Sequence, residues 1–188
     1  GIPIIFSTDP RHGATLGAHV SGAQYFSQWP SREGQFGLAA TRDIELVKEF
    51  GRVVAEEYRA VGLHMILGPQ IDLVTEPRWG RNAGCWSEDA DLTSEMTVAF
   101  LEGLNVKDPK NGALAMVKHW PGSGPHEDGT GNYIVYPGNN LDYHLKPFEA
   151  AFEAGATATM PYYSIQKDYD TVPISYSKFA IQETLRDR

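Results

Sequence analysis

Cysteine, basic residues and long apolar runs are all scarce in this sequence, and each scarcity excludes a class of protein. Cys85 is the single cysteine among 188 residues, which excludes an internal disulfide and disfavours a zinc-finger-like site. The net charge is −8 and no basic stripe is present, which argues against a nucleic-acid-binding protein. No apolar stretch approaches the ~20 residues of a membrane-spanning helix. The sequence predicts no nucleic-acid partner, no membrane span and no cofactor.

The remaining composition is that of a globular protein. Hydrophobic residues make up 41% and aromatic residues 11% of the chain, far from the composition of disordered proteins. An acidic surface suits a neutral or cationic ligand. Gly1 opens directly on a strand-like run, and Arg188 falls within a helix-like stretch. We therefore expect residues 1–188 to be a fragment of a single domain, truncated at both ends.

Apolar patterning predicts alternating strands and helices. The predicted strands are residues 2–7, 63–67, 113–118 and 156–160. The predicted helices are residues 43–61, 87–104 with Ser87 as N-cap, 145–154, and one from about 178. This alternation is typical of βα units around a parallel sheet.

Three connections, residues 12–42, 68–86 and 120–143, are long enough to be functional. Each follows the carboxyl end of a predicted strand, where α/β folds place their ligands. Ionisable and aromatic side chains gather at these strand ends and loops: Asp9, Arg78, Trp79, Arg81, Lys118, His119, Tyr162 and Tyr163. Charged groups make strong hydrogen bonds to hydroxyls, and aromatic faces cover the C–H surface of sugars. This combination favours carbohydrate binding.

Four local sequences carry a family resemblance. GIPIIFSTDPRHG resembles GIPLLFGxDxxHG, and EPRWGRNAGCWSED resembles DPRWGRxxExxxED. MVKHWPGSG resembles the KHFxG motif, and ATMPYYS resembles an MxSY strand end. Together, and in this order, they resemble the N-terminal barrel domain of glycoside hydrolase family 3, in particular bacterial-type exo-acting β-glucosidases. The resemblance implies part of a (β/α)8 TIM-type barrel with about four parallel strands joined by helical crossovers. It also implies a β-glucoside or β-linked oligosaccharide as substrate.

The resemblance implies roles for five residues. Asp9 is expected to accept hydrogen bonds from two adjacent hydroxyls of the terminal sugar. Arg81, Lys118 and His119 are expected to donate to the remaining ring hydroxyls. Tyr163 corresponds to a tyrosine that lies near the nucleophile in the family.

Four of these residues have a simpler structural alternative. Asp9 could form a turn or cap a helix, and Arg81 could pair with Glu76 or Glu88. Lys118 and His119 could belong to a structural network at a barrel mouth.

Two further features of the sequence bear on function, a His-Glu-Asp run and a tryptophan. His126, Glu127 and Asp128 could ligate a metal, but a solvated loop that shapes the sugar site is the preferred interpretation, so no metal is predicted. Trp86 is the tryptophan expected to touch sugar if any does.

The sequence also departs from the family pattern. Ala83-Gly84-Cys85 stands where the family usually has a glutamate after GRN. A retaining glycosidase needs two carboxyl groups, and the resemblance places the nucleophile after Arg188 and the acid/base in a second domain. No catalytic residue is therefore assigned within the chain, and the isolated fragment is expected to be inactive.

Two alternatives stay open. One is a β-N-acetylglucosaminidase with a His126/Asp128 dyad, and the other is a non-catalytic carbohydrate-binding module. The sequence does not specify a compartment, although the resemblance is compatible with a secreted or periplasmic protein.

Overall fold

The computed structural model describes residues 2, 4–9, 12, 26–27, 34–129 and 140–188, together with the backbone of residues 134–135. Its strands are β1 (Ser7–Thr8), β2 (Met65–Ile66), β3 (Leu114–Trp120), β4 (Ile134–Val135), β5 (Ala158–Pro161) and β6 (Ile165–Gln166). Its α-helices are α1 (Gly34–Thr41), α2 (Ile44–Ala60), α3 (Ala90–Leu104) and α4 (Leu141–Ala154), and a π-helix spans Phe179–Arg186.

Four strands form a parallel sheet in the order β1-β2-β3-β5. Ser7 pairs with Met65, Met65 with Leu114, and Met116 with Ala158. Parallel neighbours bring their carboxyl ends to the same edge, so the residues that follow these strands share one rim. The sequence predicts this sheet correctly, and the structure adds a small parallel pair, β4 and β6, within and beyond the third long connection.

The helices cover one face of the sheet with the apolar stripes that their spacing predicts. On α2, Val47, Phe50, Val54 and Tyr58 are buried, and the Asp43 side chain caps the helix by accepting from the Leu46 amide at 3.0 Å. The core between helices and sheet includes Phe100 and Leu104 of α3 and Phe148 of α4. Among the described residues, none of the helices combines the length and the hydropathy that a membrane crossing requires.

Two glycines let α2 and α3 pack backbone against backbone. A Cβ at Gly103 would lie 2.0 Å from the carbonyl oxygen of Lys48, and one at Gly51 would lie 2.4 Å from that of Phe100. No side chain fits at these distances, so the close contact between the two helices depends on glycine.

Several predicted boundaries are wrong. Helix α3 is capped by Asp89, which accepts from the Leu92 amide at 2.7 Å, while Ser87 accepts from the Asp89 amide and lies outside the helix. Helix α4 begins four residues earlier than predicted, at Leu141. Helix α1 was not predicted at all, because its eight residues are too few to show a clear apolar period.

The strand predicted at residues 2–7 is confirmed only at its end, where Ser7 begins β1. The side chains of Ile2, Ile4, Ile5 and Phe6 are 56–96% exposed, not buried on both faces. Within the described residues β1 is an edge strand, so no second neighbour covers these side chains.

Candidate functional site

The rim of the sheet is built from residues at the carboxyl ends of its strands. Asp9 directly follows β1. Lys118 and His119 are among the last three residues of β3. The Lys118 ammonium lies 2.5 Å from Oδ2 of Asp9, although 109 residues separate the two. Both residues belong to the predicted site, and the structure brings them into direct contact. A carboxylate held by a lysine in this way is a fixed acceptor with a neighbouring fixed donor, which suits adjacent sugar hydroxyls.

A second pair lies beside the first and is more deeply buried. Nδ1–H of His119 donates to Oδ2 of Asp72 at 2.8 Å. The other oxygen of Asp72 accepts from the backbone amides of Ser123 at 2.6 Å and His119 at 3.3 Å. The Asp72 carboxylate is fully buried, and these three donors compensate its lost hydration.

The pair carries a defined protonation state. Burial would raise the pKa of the Asp72 carboxyl, but His119, the Ser123 amide and Arg81 together hold that pKa below its ordinary value. Burial lowers the pKa of His119, against the opposing effect of Asp72 and with a further lowering from Arg81 and Lys118. Near neutral pH the pair is therefore an anionic carboxylate and a neutral imidazole.

This protonation state changes the role that the sequence assigns to His119. Since Nδ1 carries the hydrogen that Asp72 accepts, Nε2 of the neutral ring has a lone pair and no hydrogen. His119 is expected to accept a hydrogen bond from a hydroxyl rather than to donate one. Asp72, which the sequence reasoning missed, fixes this tautomer. Its sequence signal is a lone carboxylate between the apolar residues Ile71 and Leu73.

The loop that carries Arg81 is held by its own ion pair. Arg78 contacts both oxygens of the buried Glu76 at 2.8 and 2.9 Å, and the Asn82 side chain donates to the Glu76 carbonyl at 2.9 Å. Glu76 therefore pairs with Arg78 and not with Arg81. Within the described residues, Arg81 makes no ion pair. Its guanidinium lies over the ring of Tyr162 at 5.8 Å from the centroid.

The two tyrosines after β5 differ in exposure. Tyr162 is buried and contacts His119 with ring centroids 4.8 Å apart, whereas Tyr163 is 59% exposed and packs against Tyr162 at 5.1 Å. Tyr163 is thus the aromatic residue of this strand end that is available to a ligand. Trp86 lies in the hydrophobic core at 1% exposure and does not offer a sugar-stacking surface.

The glycine-rich loop after β3, residues 121–129, packs against the loop that carries Arg81 and is not surrounded by solvent. His126 is fully buried, which is contrary to the solvated loop that the sequence favours. Its ring stacks on Trp79 at 5.2 Å and meets Tyr162 edge-on at 5.1 Å. A Cβ at Gly124 would lie 1.5 Å from the Leu73 carbonyl oxygen, so the loop backbone touches the segment after Asp72.

Metal ligation finds no support in this loop. Among residues for which the structure gives a position, no group of three His, Cys, Asp or Glu side chains could hold a metal ion. Asp128 lies 3.7 Å from Arg78, and in the described part of the chain neither ring nitrogen of His126 has a hydrogen-bond partner. The absence of a metal stays a prediction.

Comparison with known sequences points to one family. The family model described as "Glycosyl hydrolase family 3 N terminal domain" matches residues 1–188. The chain is 46% identical to "Beta-glucosidase C" of Emericella nidulans, over 99% of the chain and 31% of that protein. It is 41% identical to a "Periplasmic beta-glucosidase/beta-xylosidase" of Dickeya chrysanthemi, again over 99% of the chain and 31% of that protein. The chain therefore spans about a third of the length of these relatives.

A solved structure agrees with the sequence relatives. The crystal structure of a beta-glucosidase from Listeria innocua in complex with gluconolactone superposes with a TM-score of 0.81 at 27% identity, covering 99% of this chain and 24% of that one. The predicted fold class, part of a (β/α)8 barrel with four parallel strands, is confirmed. Since the family match extends from the first residue to the last, the chain belongs to glycoside hydrolase family 3 and corresponds to its N-terminal domain.

Proposed function

We propose that the protein containing this chain hydrolyses terminal non-reducing β-D-glucosyl residues with a retaining mechanism. The observation that carries the proposal is the rim on which an Asp9–Lys118 pair, an Asp72-oriented His119 and the Arg81 guanidinium, which makes no ion pair among the described residues, meet. The names of the relatives, beta-glucosidases at 41–46% identity, support the same activity. The proposed substrate is a β-glucoside or a β-linked oligosaccharide.

The residues of the rim would hold one sugar by complementary donors and acceptors. Asp9 accepts hydrogen bonds from two neighbouring hydroxyls of the sugar, while Lys118 holds the carboxylate in place by donating to Oδ2. Arg81 donates its in-plane N–H groups, and Nε2 of His119 accepts. Hydrogen bonds of this kind strengthen as the ring approaches the oxocarbenium-like transition state.

Among the described residues, the rim carboxylates Asp9 and Asp72 each have a partner. Asp9 is paired with Lys118, and Asp72 is enclosed behind His119. We therefore propose that the nucleophile and the acid/base lie outside residues 1–188, and that these residues alone do not turn over substrate. We also propose that they form part of one barrel domain that is completed by the rest of the protein.

The β-N-acetylglucosaminidase alternative has less support. Its dyad would join His126 to Asp128, but His126 is buried between Trp79 and Tyr162, and neither of its ring nitrogens bonds to Asp128 or to another described residue. An acid/base needs contact with the leaving group, which this position does not give.

The test uses a full-length protein that contains this chain, assayed with p-nitrophenyl β-D-glucoside. We expect turnover, with the β-anomer of glucose as the first product by NMR. Asp9→Ala should lower kcat/KM by about a thousandfold, because two hydroxyls of the sugar lose the carboxylate that accepts their hydrogen bonds.

Asp91→Ala, which removes an exposed carboxylate of α3 that pairs with Lys146 and contacts none of the predicted site residues in the described part of the chain, is the control and should keep wild-type activity. Wild-type kcat/KM in the Asp9→Ala variant would contradict the assignment of Asp9. Preference for the β-N-acetylglucosaminide would favour the other mechanism, and sugar binding without turnover would favour a binding module.

A further inference from the structure

The ring of Tyr162 lies at the centre of the rim but has no role in the proposed chemistry. It contacts His119 at 4.8 Å, His126 at 5.1 Å and Tyr163 at 5.1 Å, and the Arg81 guanidinium lies over it. Of these neighbours, Arg81 and His119 are proposed to hydrogen-bond the sugar, and Tyr163 is the exposed aromatic residue of the predicted site. One buried ring therefore touches two proposed ligand-binding groups, one from the loop that carries Arg81 and one from the end of β3.

The backbone of Tyr162 is fixed on both sides. Its amide donates to the Trp120 carbonyl at 3.1 Å, and its own carbonyl accepts from the Ser175 hydroxyl at 3.1 Å. The side chain is 4% exposed. A ring anchored and enclosed in this way has little freedom to adapt, so it constrains whatever packs against it.

The loop that carries Arg81 contacts this group of aromatic rings at two points. Trp79, two residues before Arg81, stacks on His126 with ring planes 16° apart. His126 meets the ring of Tyr162 edge-on at 85°, and Tyr162 in turn underlies Arg81. The loop is thus held at two points, once through Trp79 and once through Arg81, against the same aromatic group.

The kind of group that contacts the Arg81 guanidinium matters for ligand binding. A carboxylate partner would occupy the in-plane N–H groups of the guanidinium, as Glu76 does for Arg78. An aromatic face interacts with the flat face of the guanidinium and leaves the in-plane donors available. Because Arg81 makes no ion pair among the described residues, its donors remain for sugar hydroxyls.

We propose that Tyr162 is a positioning residue, whose ring holds the Arg81 guanidinium and the His119 imidazole in place for sugar binding, with His126 and Trp79 as its backing. The inference rests on the proposed function in so far as it names a sugar as the ligand. Tyr162 stands where the MxSY pattern of the resemblance has serine, so the role belongs to this chain's own sequence.

Neutral His126 fits this arrangement. Burial lowers its pKa to about 4, with Asp72 opposing and with Arg81 and His119 lowering it further. A protonated His126 would place a second positive charge near Arg81 and repel it, an effect that the negative charge of Asp72 opposes.

The experiment replaces Tyr162 in a full-length protein that contains this chain. Tyr162→Phe keeps the ring, and Tyr162→Leu keeps apolar bulk without a π face. Each is combined with Arg81→Lys, which gives two double-mutant cycles. Kinetic constants on p-nitrophenyl β-D-glucoside and the melting temperature are measured for every variant.

We expect Tyr162→Phe to stay within about twofold of wild-type kcat/KM and Tyr162→Leu to lose about tenfold. Arg81→Lys should cost much less in the Tyr162→Leu background than in the Tyr162→Phe background, since the guanidinium is already misplaced there. A fall in melting temperature alone does not produce this coupling. Equal activity of the Phe and Leu variants, or additive effects with Arg81→Lys, would overturn the inference.

Glucose binding separates this inference from the proposed function. If the wild-type protein lacks glucosidase turnover, the proposed function fails, and the dissociation constants of the same variants for glucose, from isothermal titration, test Tyr162. A dissociation constant for glucose that rises tenfold in Tyr162→Leu but not in Tyr162→Phe supports the positioning role. Equal constants, or no measurable binding by the wild-type protein, overturn it.

Discussion

At the scale of single residues, the Asp72 carboxylate meets three hydrogen-bond donors inside the protein. Two are backbone amides at one oxygen, and the third is the His119 ring at the other. The two carboxylate oxygens therefore differ. A backbone N–H can only donate a hydrogen bond, whereas a histidine ring nitrogen can either donate or accept one. The state of His119 is therefore set by the charge of Asp72.

Replacing Asp72 with Asn should switch the tautomer of His119. The Asn carbonyl would face the two amides, so its NH2 group would face Nδ1 and require an acceptor there. We expect the hydrogen to move to Nε2, which 15N–1H NMR of the labelled protein detects. The kcat/KM should fall by about 10–100-fold, since a hydroxyl then meets a donor where it had an acceptor.

The exposed Asp91→Asn substitution serves as the matched control and should change neither readout. Retention of the Nδ1–H tautomer in Asp72→Asn would show that Asp72 does not determine the state of His119.

At the scale of elements, the contact between α2 and α3 depends on the lack of side chains at Gly51 and Gly103. These two helices pack on β2 and β3 through the shared core, so their spacing also sets where Lys118 and His119 emerge. Elements at close backbone distance tolerate little added volume.

Gly103→Ala should therefore destabilise the protein despite the higher helix propensity of alanine. The new methyl group would need space that the Lys48 carbonyl occupies, and we expect a loss of about 1–3 kcal/mol in the free energy of unfolding. Urea denaturation followed by circular dichroism measures it. Glu95→Ala on the exposed side of α3 is the control, and a Gly103→Ala protein as stable as Glu95→Ala would contradict the packing argument.

At the scale of the whole molecule, histidines are buried in several separate places. His12, His119, His126 and His144 are all at most 5% exposed. Burial lowers the pKa of each, and for His126 and His144 the pKa falls to about 4 from an ordinary 6.5. A buried neutral histidine binds a proton less readily in the folded than in the unfolded state.

Stability should therefore decrease as the pH falls from 7 to 5. In that window the unfolded chain takes up protons at these histidines and the folded protein does not, which favours unfolding. For His126 and His144 we expect a loss of about 1–2 kcal/mol each. Asp72 contributes only at lower pH, because its lowered pKa lies below the ordinary 3.8.

Urea denaturation at pH 7 and pH 5 measures the effect. The His144→Gln variant should show a smaller difference between the two pH values than the wild-type protein, since one of the titrating groups is gone. A difference that is unchanged in this variant would contradict the assignment of His144.

The sequence by itself determined the order of the four sheet strands and of the helices α2, α3 and α4, and it indicated the strand ends at which a ligand is expected. Apolar periods of two and 3.6 residues are local properties, so β3, α2 and α3 were predictable to within a few residues. The family motifs also lie within short stretches at strand ends, and Asp9, Arg81, Lys118, His119 and Tyr163 were chosen from them. The roles of these five residues in sugar binding remain predictions.

Only the tertiary structure decided which side chains meet. Asp72 and His119 are 47 residues apart, and Lys118 and Asp9 are 109 apart, so no local pattern pairs them. The same holds for the group of Trp79, His126 and Tyr162, whose members come from three segments that only folding assembles. Protonation states and packing depend on these long-range neighbours. The contact of His119 with Asp72, the burial of His126 and the central position of Tyr162 therefore follow from the fold, because each is set by atoms distant in the chain.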